Sequence, residues 1–345
     1  MKKGCSIVSI ILMLIILVGG YFGYTFYKKY YGNNVEKEGY VLIPHNANFN
    51  SILDSISPYL KNKNSFEEVA KQKNMNTVFK AGRYQIQSGA SNTQMVNMIK
   101  AGNQTPLDLR VANVMDVYQL LGRVSRKTEA DSMQFVNGFN KIAKEKGLNN
   151  AEDLKKYFFS DTYKFFWTVT PEDFFKKFEE DYKEFWNSKR TDEEKKSGLT
   201  RDQIYALASI VLKESGGKPD EMKTIAGLYL NRYKKGMKLQ SDPTVIYAVN
   251  KDSNFKRQVK RVLYKDLKVP SPYNTYLNAG IPPGPICIVD KNSVDAVLNA
   301  EHNNYIYMCA DPSRLGFHKF TNSDVEHAKN AKAYQDWLNS RNIKN

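Results

Sequence analysis

The feature that most limits what this chain can fold into is an uncharged run of 23 residues, Cys5 to Tyr27, close to its start. Its centre, Ile7 to Val18, holds apolar side chains broken only by Ser9. Roughly 20 apolar residues at a helical rise cross a hydrocarbon layer of ~30 Å. Lys2 and Lys3 precede the run, Lys28 and Lys29 follow it, and Tyr21, Phe22, Tyr24, Phe26 and Tyr27 gather at its end as an interfacial belt would. A cleaved signal peptide is the competing reading, but its apolar core is shorter and ends in a small-residue cleavage site. The length and the bulky aromatic end favour a retained anchor. Cys5 precedes the apolar core, which argues against a lipoprotein signal. The expected orientation puts the N-terminus in the cytoplasm and the rest of the chain outside. No other stretch is long enough to span a membrane.

The remaining sequence reads as a globular α+β protein, with 41% hydrophobic and 25% charged residues. A chain of 345 residues can bury enough apolar surface to need no disulfide or metal staple. Three cysteines and four scattered histidines argue against a disulfide framework or a structural zinc site, and no cofactor is expected. The net charge of +15 suggests an anionic partner. The basic residues are spread along the chain without an Arg-rich block, so no nucleic-acid function is expected. An acidic membrane surface or a cell-wall polymer fits equally well.

Residues 1–29 are read as a cytoplasmic tip and anchor, 30–38 as a linker around Gly32-Asn33-Asn34, 39–105 as a small module, and 106–345 as the main domain. In the module, Tyr40 to Ile43 predicts a strand stopped by Pro44, and Ser51 to Leu60 a helix weakened by Pro58. Ala81 to Ile86 reads as a turn into a second strand, and Ser91 to Lys100 as a helix capped by Ser91 and closed by Gly102. Beyond Leu107 helices dominate. Pro171 starts one whose Phe174, Phe175, Phe178, Tyr182 and Phe185 recur at core-packing spacing. Thr200-Arg201-Asp202-Gln203 fits a capping box for a helix running to Glu214, which Ser215-Gly216-Gly217 ends. Another helix is expected over Pro219 to Lys235, a strand-rich patch over Tyr305 to Thr321, and a closing helix over Asp324 to Arg341.

Glu214 is the acid that physics singles out. Leu207, Ile210 and Val211 lie seven, four and three residues before it, which sets its carboxyl on the apolar stripe of its helix. At a helix C-terminus the macrodipole also disfavours negative charge. Burial and dipole both favour the protonated form, the state a general acid requires. The alternative, a surface acid near a helix end, stays open on periodicity alone.

The stretch Ala208-Ser209-Ile210-Val211-Leu212-Lys213-Glu214-Ser215 resembles the MltG (YceG-like) endolytic murein transglycosylases, whose motif is close to A-S-I-V-x-K-E-T. The likeness continues in order through Asn231-Arg232, Gly236 to Tyr247 (G-M-x-L-Q-[ST]-D-P-T-V-x-Y), Asn274-Thr275-Tyr276, Gly280 to Ile286, Ala310-Asp311 and His318 to Thr321. Upstream, Gly82-Arg83-Tyr84 and Asp161-Thr162-Tyr163 are similar to its G-R-Y and D-T-Y. Leu212 stands where the family often has a second acid, and Ser160 where it has proline.

The resemblance implies a transmembrane helix, a LysM-like module and a transglycosylase domain on the extracytoplasmic (periplasmic) side of the cytoplasmic membrane. It implies cleavage of the MurNAc-β-1,4-GlcNAc bond of peptidoglycan glycan strands, leaving 1,6-anhydro-MurNAc ends and terminating nascent strands. Glu214 is the implied catalytic residue, and Gln240, Thr244, Tyr247, Asn274, Tyr276 and His318 the implied substrate contacts. Loop scaffolding is the alternative for Gln240, Thr244, Asn274, Thr275 and Tyr276, and a structural histidine for His318. Asp242 could cap the helix after Pro243, or serve as second carboxylate if the enzyme hydrolyses instead. Cys287 and Cys309 could pair outside the cytoplasm. Peptidoglycan synthases are compatible partners, and a non-enzymatic membrane-anchored scaffold is the reading furthest from catalysis.

Overall fold

The computed structural model describes residues 2–256, 259 and 262–341, with side chains from residue 9 onward. Met1 and residues 342–345, the ends of the expected anchor and main domain, lie outside the described residues, as do the side chains of Lys2, Lys3 and Cys5. The chain divides into two compact units: Met1–Asp108 with Ser125–Asp131 and Lys164–Thr170, and Leu109–Val124 with Ser132–Tyr163 and Pro171–Asn345.

The first unit opens with α1 (Lys2–Tyr31), whose Ser9–Tyr31 stretch is long and apolar enough to cross a membrane. Its apolar side chains Ile10 to Val18 are exposed rather than packed into a core. Strand β1 (Gly39–Ile43) buries Val41 and Ile43 and exposes Leu42, the alternation of a half-buried strand. α2 (Phe49–Ile56) starts at an Asn48–Ser51 capping box and buries Ile52, Leu53 and Ile56. It ends where Pro58 enters a tighter turn, Ser57–Tyr59. α3 (Lys63–Gln72) follows, a helix the sequence reading omits. Only Phe66, Val69 and Ala70 of it are buried, so its stripe is narrow and its other positions are largely polar. β2 (Gly82–Ile86) pairs antiparallel with β1, Gly39 opposite Ile86 and Ile43 opposite Gly82. α4 (Asn92–Ala101) has the expected Ser91 cap, and Gly102 takes the left-handed backbone that closes it.

The stretch read as a linker is built into this unit. Val35 is fully buried, and the Asn34 side chain donates to Asn62 O at 2.9 Å and Asn92 Oδ1 at 2.7 Å.

From β3 (Leu107–Val111) the chain continues through α5 (Val117–Ser125), α6 (Ser132–Glu145), a short turn of helix at Ala151–Tyr157, β4 (Asp161–Phe165), α7 (Pro171–Phe185) and α8 (Ser188–Ser197). It goes on through α9 (Arg201–Glu214), α10 (Pro219–Lys234), α11 (Asp242–Asp252), α12 (Lys291–Leu298), β5 (Tyr307–Ala310), β6 (His318–Thr321) and α13 (Asp324–Ser340). β5 and β6 pair antiparallel, Tyr307 opposite Thr321 and Ala310 opposite His318. The phenylalanines of α7 are buried in aromatic contacts, as their spacing predicts.

α9 is the centre of the second unit. It begins at the expected Thr200–Gln203 capping box, and every residue from Ile204 to Val211 is buried. A helix apolar on all sides must be surrounded. α10, α11 and α12 pack on it. Polar groups inside are paired: Ser209 donates to Ala206 O at 2.7 Å and accepts from the Ile286 amide at 2.9 Å. On α10, a Cβ at Gly227 would sit 2.4 Å from Glu301 O, so only glycine allows that close approach. Cys287 and Cys309 are both free thiols, Cys287 buried in this core.

Candidate active site

α9 ends at Glu214 as the sequence predicts, and the way it ends builds the site. Gly216 and Gly217 take φ values of 59° and 80°, a pair of left-handed residues that reverses the chain. Pro219 then starts α10, which packs back on α9 and brings Tyr229 alongside the last turn. Tyr229 donates to Glu214 Oε1 at 2.8 Å, and Ser241 donates to the same oxygen at 2.6 Å.

Among the described residues, Glu214 has no lysine or arginine partner within salt-bridge distance. Glu214 is half-buried. Burial is the main cause that pushes its pKa above the usual glutamate range. Asp242 pushes in the same direction, whereas the Ser241 and Tyr229 hydroxyls and His318 pull against it. Burial raises Tyr229 well above the tyrosine range too, so its hydroxyl remains a donor.

Ser241 is placed by a strained loop. Gln240 has φ 53°, a left-handed conformation uncommon outside glycine. Its amide donates to Thr275 O at 3.2 Å and its side-chain oxygen accepts from the Arg232 guanidinium. The Ser241 amide donates to Thr275 Oγ1 at 3.0 Å. Thr244 Oγ1 lies 2.7 Å from Ser241 O and 2.8 Å from Thr275 Oγ1. Asn274 donates to Leu267 O and Val269 O, both at 2.9 Å, and accepts from the Tyr276 amide. These bonds knit residues 240–244 to 274–276.

Ser241 is the N-cap of α11, yet its hydroxyl bonds Glu214 rather than a helix amide. An unused cap of this kind forgoes about 1 kcal/mol of helix stability. Asp242, expected as the possible cap, is instead the first helical residue, because Pro243 at the second position suits a helix already begun.

The residues read from sequence thus fall into two groups. Around Glu214 lie Gln240, the chain neighbour of Ser241, Tyr276, which donates to Asp242 Oδ1 at 2.7 Å, and His318, whose charged form lowers the carboxyl's pKa. Thr244, Asn274 and Tyr247 are buried, their polar atoms engaged inside the protein. Tyr247 accepts from Lys155 Nζ at 3.2 Å and packs on Tyr273, away from the Glu214 cluster of bonds. Sequence reasoning missed Tyr229 and Ser241. Ser241 lay inside the Gly236 to Tyr247 motif, and Tyr229 two residues before Asn231-Arg232; neither periodicity nor residue type marks a hydroxyl as an acid's partner.

The YceG-like family model matches residues 41–333. The chain is 30% identical over 355 residues to an endolytic murein transglycosylase of Bacillus subtilis (strain 168), covering 95% of this chain and 93% of that protein. It is 25% identical over 366 residues to an endolytic murein transglycosylase of Streptococcus pneumoniae serotype 2 (strain D39 / NCTC 7466), covering 95% of this chain and 64% of that protein. The 2.6 Å crystal structure of a yceG-like protein from Listeria monocytogenes is similar with TM-score 0.56 and 26% identity, over 85% of this chain and 98% of that one.

Proposed function

Because the chain belongs to the YceG-like family, we propose that it is a lytic transglycosylase acting on peptidoglycan, with Glu214 as its single acid–base group. The observation that carries the reading is a carboxyl pushed toward its neutral form by burial and held by two hydroxyls rather than a cation.

The bond cut is the β-1,4 link between MurNAc and GlcNAc. Glu214 gives its proton to the departing glycosidic oxygen as that bond breaks. The carboxylate left behind takes the proton of the sugar's own C6 hydroxyl, whose oxygen closes on the anomeric carbon to form a 1,6-anhydro end. The N-acetyl group of the muramic sugar supports the cationic centre between the two steps. One carboxyl suffices because the nucleophile comes from the substrate, whereas an ordinary glycosidase needs two. A raised pKa serves both steps, keeping the acid loaded first and making its conjugate base stronger afterwards. Ser241 and Tyr229 orient the carboxyl. Gln240, Tyr276 and His318 contact the glycan, while Thr244, Asn274 and Tyr247 hold the loops in place. The chain terminates nascent strands from a single-pass anchor in the cytoplasmic membrane, its LysM-like module and active site on the extracytoplasmic side, beside the peptidoglycan synthases that supply those strands.

Product analysis on purified peptidoglycan tests this. Wild-type protein should release anhydro-MurNAc ends, and Glu214→Gln, folded to the same extent, should release none. Anhydro ends from Glu214→Gln at the wild-type level would remove the assignment. A hydrolase using Asp242 as second carboxylate, the reading its exposed place near Glu214 favours, would instead give products heavier by one water.

A further inference from the structure

Glu221 is the third residue of α10, and its side chain is only 9% exposed. A carboxylate in the first turn of a helix is favoured by the unpaired amides and the dipole there. Both of its oxygens go to one residue. Oε1 accepts from the His318 backbone amide at 2.7 Å, and Oε2 lies 3.0 Å from His318 Nδ1. The same loop is tied again by Lys218, whose Nζ donates to Gly316 O at 2.7 Å. His318 opens β6 with its side chain 17% exposed, neither sealed in the core nor free in solvent. The two side chains of His318 and Glu214 lie within electrostatic reach of each other, since a charged His318 ring lowers the pKa of Glu214.

A carboxylate accepts hydrogen bonds and donates none, so it fixes the proton of a neutral imidazole on the nitrogen facing it. Nδ1 therefore carries the proton toward Glu221, and Nε2 is left as a lone-pair acceptor. The donors that a peptidoglycan strand offers are sugar hydroxyls and acetamido N–H groups. We propose that Glu221 is a positioning residue of the transglycosylase reaction: it locks His318 as the Nδ1–H tautomer, and Nε2 then accepts a hydrogen bond from a sugar hydroxyl or acetamido N–H beside Glu214. The proposal rests on the function given above and adds to it a substrate contact of defined polarity, with the residue that sets it.

The substitution Glu221→Gln keeps the shape and reverses the polarity. The Gln carbonyl still accepts from the His318 amide, but its NH₂ group donates to Nδ1, and the ring proton moves to Nε2. A glycan donor then meets a donor. The test uses full-length protein in detergent, ¹⁵N-labelled at its four histidines, at a pH where the ring is neutral. His318 should carry its proton on Nδ1 in the wild type and on Nε2 in Glu221→Gln. Release of anhydro ends in Glu221→Gln should fall roughly ten- to a hundredfold, the scale of a misplaced contact. In a His318→Gln background, Glu221→Gln should cost nothing further, since it acts only through the ring.

A wild-type ring protonated on Nε2 alone, full turnover in Glu221→Gln, or losses that multiply in the double variant would each overturn the proposal. The last pattern is that of a merely structural tie between α10 and β6. Should Glu221→Gln fail to fold, the wild-type ring and His318→Gln decide, and full turnover in His318→Gln overturns it. Collapse of the parent reading looks different, since Glu214→Gln would then still release anhydro ends.

Discussion

At the end of α9, Glu214 leans on two hydroxyls. Around the 151–157 turn of the same unit, two other acids crowd a lysine instead. Lys155, 4% exposed, pairs with Glu152 and donates to Tyr247 Oη and Pro285 O, both at 3.2 Å. Glu152 Oε2 accepts the Val117 amide at 2.7 Å, and buried Asp116 accepts the Gln119 amide at 2.8 Å. Burial raises the pKa of Asp116, Glu152 and Glu214 alike. The difference lies in what opposes burial. Lys155 pulls both of its acids back toward the charged form, which makes a fixed ionic knot. Ser241 and Tyr229 are neutral, so Glu214 stays close to a proton it can exchange. Among the described residues no lysine or arginine pairs with Glu214, and under the proposed mechanism that is what separates it from the other buried acids.

The sharpest way to break that contrast is to neutralise one acid from each region. Glu214→Gln should lower turnover by roughly three orders of magnitude or more, the scale of general acid–base catalysis. Glu152→Gln should leave turnover per folded molecule within about threefold, since it touches no reacting atom. Equal losses in initial-rate assays of anhydro-end release, normalised to folded protein, would erase the distinction.

Removing the cation is the next largest effect. Lys155→Met leaves buried Asp116 and half-buried Glu152 without their cation, and breaking a buried pair costs up to about 3–5 kcal/mol. Urea unfolding should show that loss, and Lys155→Met with Glu152→Gln should recover part of it. A Lys155→Met protein as stable as wild type would mean that the knot is not held by charge.

A smaller effect separates the two regions by pH. Glu214 has a folded pKa above its unfolded one, so its contribution to stability is complete below the unfolded value and is lost as pH rises through the folded value. Glu214→Gln removes that loss. Its melting temperature should exceed that of the wild type at neutral and alkaline pH, with the gain shrinking toward acid. A gain that grows toward acid would give Glu214 a depressed pKa and contradict its role as a loaded acid.

The sequence carried a large part of this structure, for reasons visible in particular residues. α9 was legible at both ends because a capping box and a Ser-Gly-Gly stop are local signals. The family resemblance read from Ala208–Ser215 and Gly236–Tyr247 agrees with the match over residues 41–333. α3 was not legible, because three buried residues in ten make too weak a stripe. The contacts of Glu214 were hidden for another reason. Ser241 and Tyr229 lie 27 and 15 residues downstream, and only the fold brings them to one oxygen. The Lys155 knot joins residues as far apart as Asp116 and Pro285, with no motif to announce it.

The smallest effect bears most directly on the hydroxyls. Ser241→Ala removes a donor that stabilises the Glu214 carboxylate, so the carboxyl's pKa must move further up. Activity needs the protonated acid and falls as pH passes that pKa. The alkaline limb of the kcat/KM profile should therefore shift to higher pH, with the maximum rate reduced by about tenfold or less because Tyr229 still holds the carboxyl. Stability should change by only about 1 kcal/mol, the net worth of one hydrogen bond, since this hydroxyl does not cap α11. Tyr229→Phe should move the limb the same way, and Lys155→Met, which alters charge in the other region, should leave it in place. A limb that moves with Lys155 but not with Ser241 would show that the distant cation, and not the neutral hydroxyls, sets the proton affinity of Glu214.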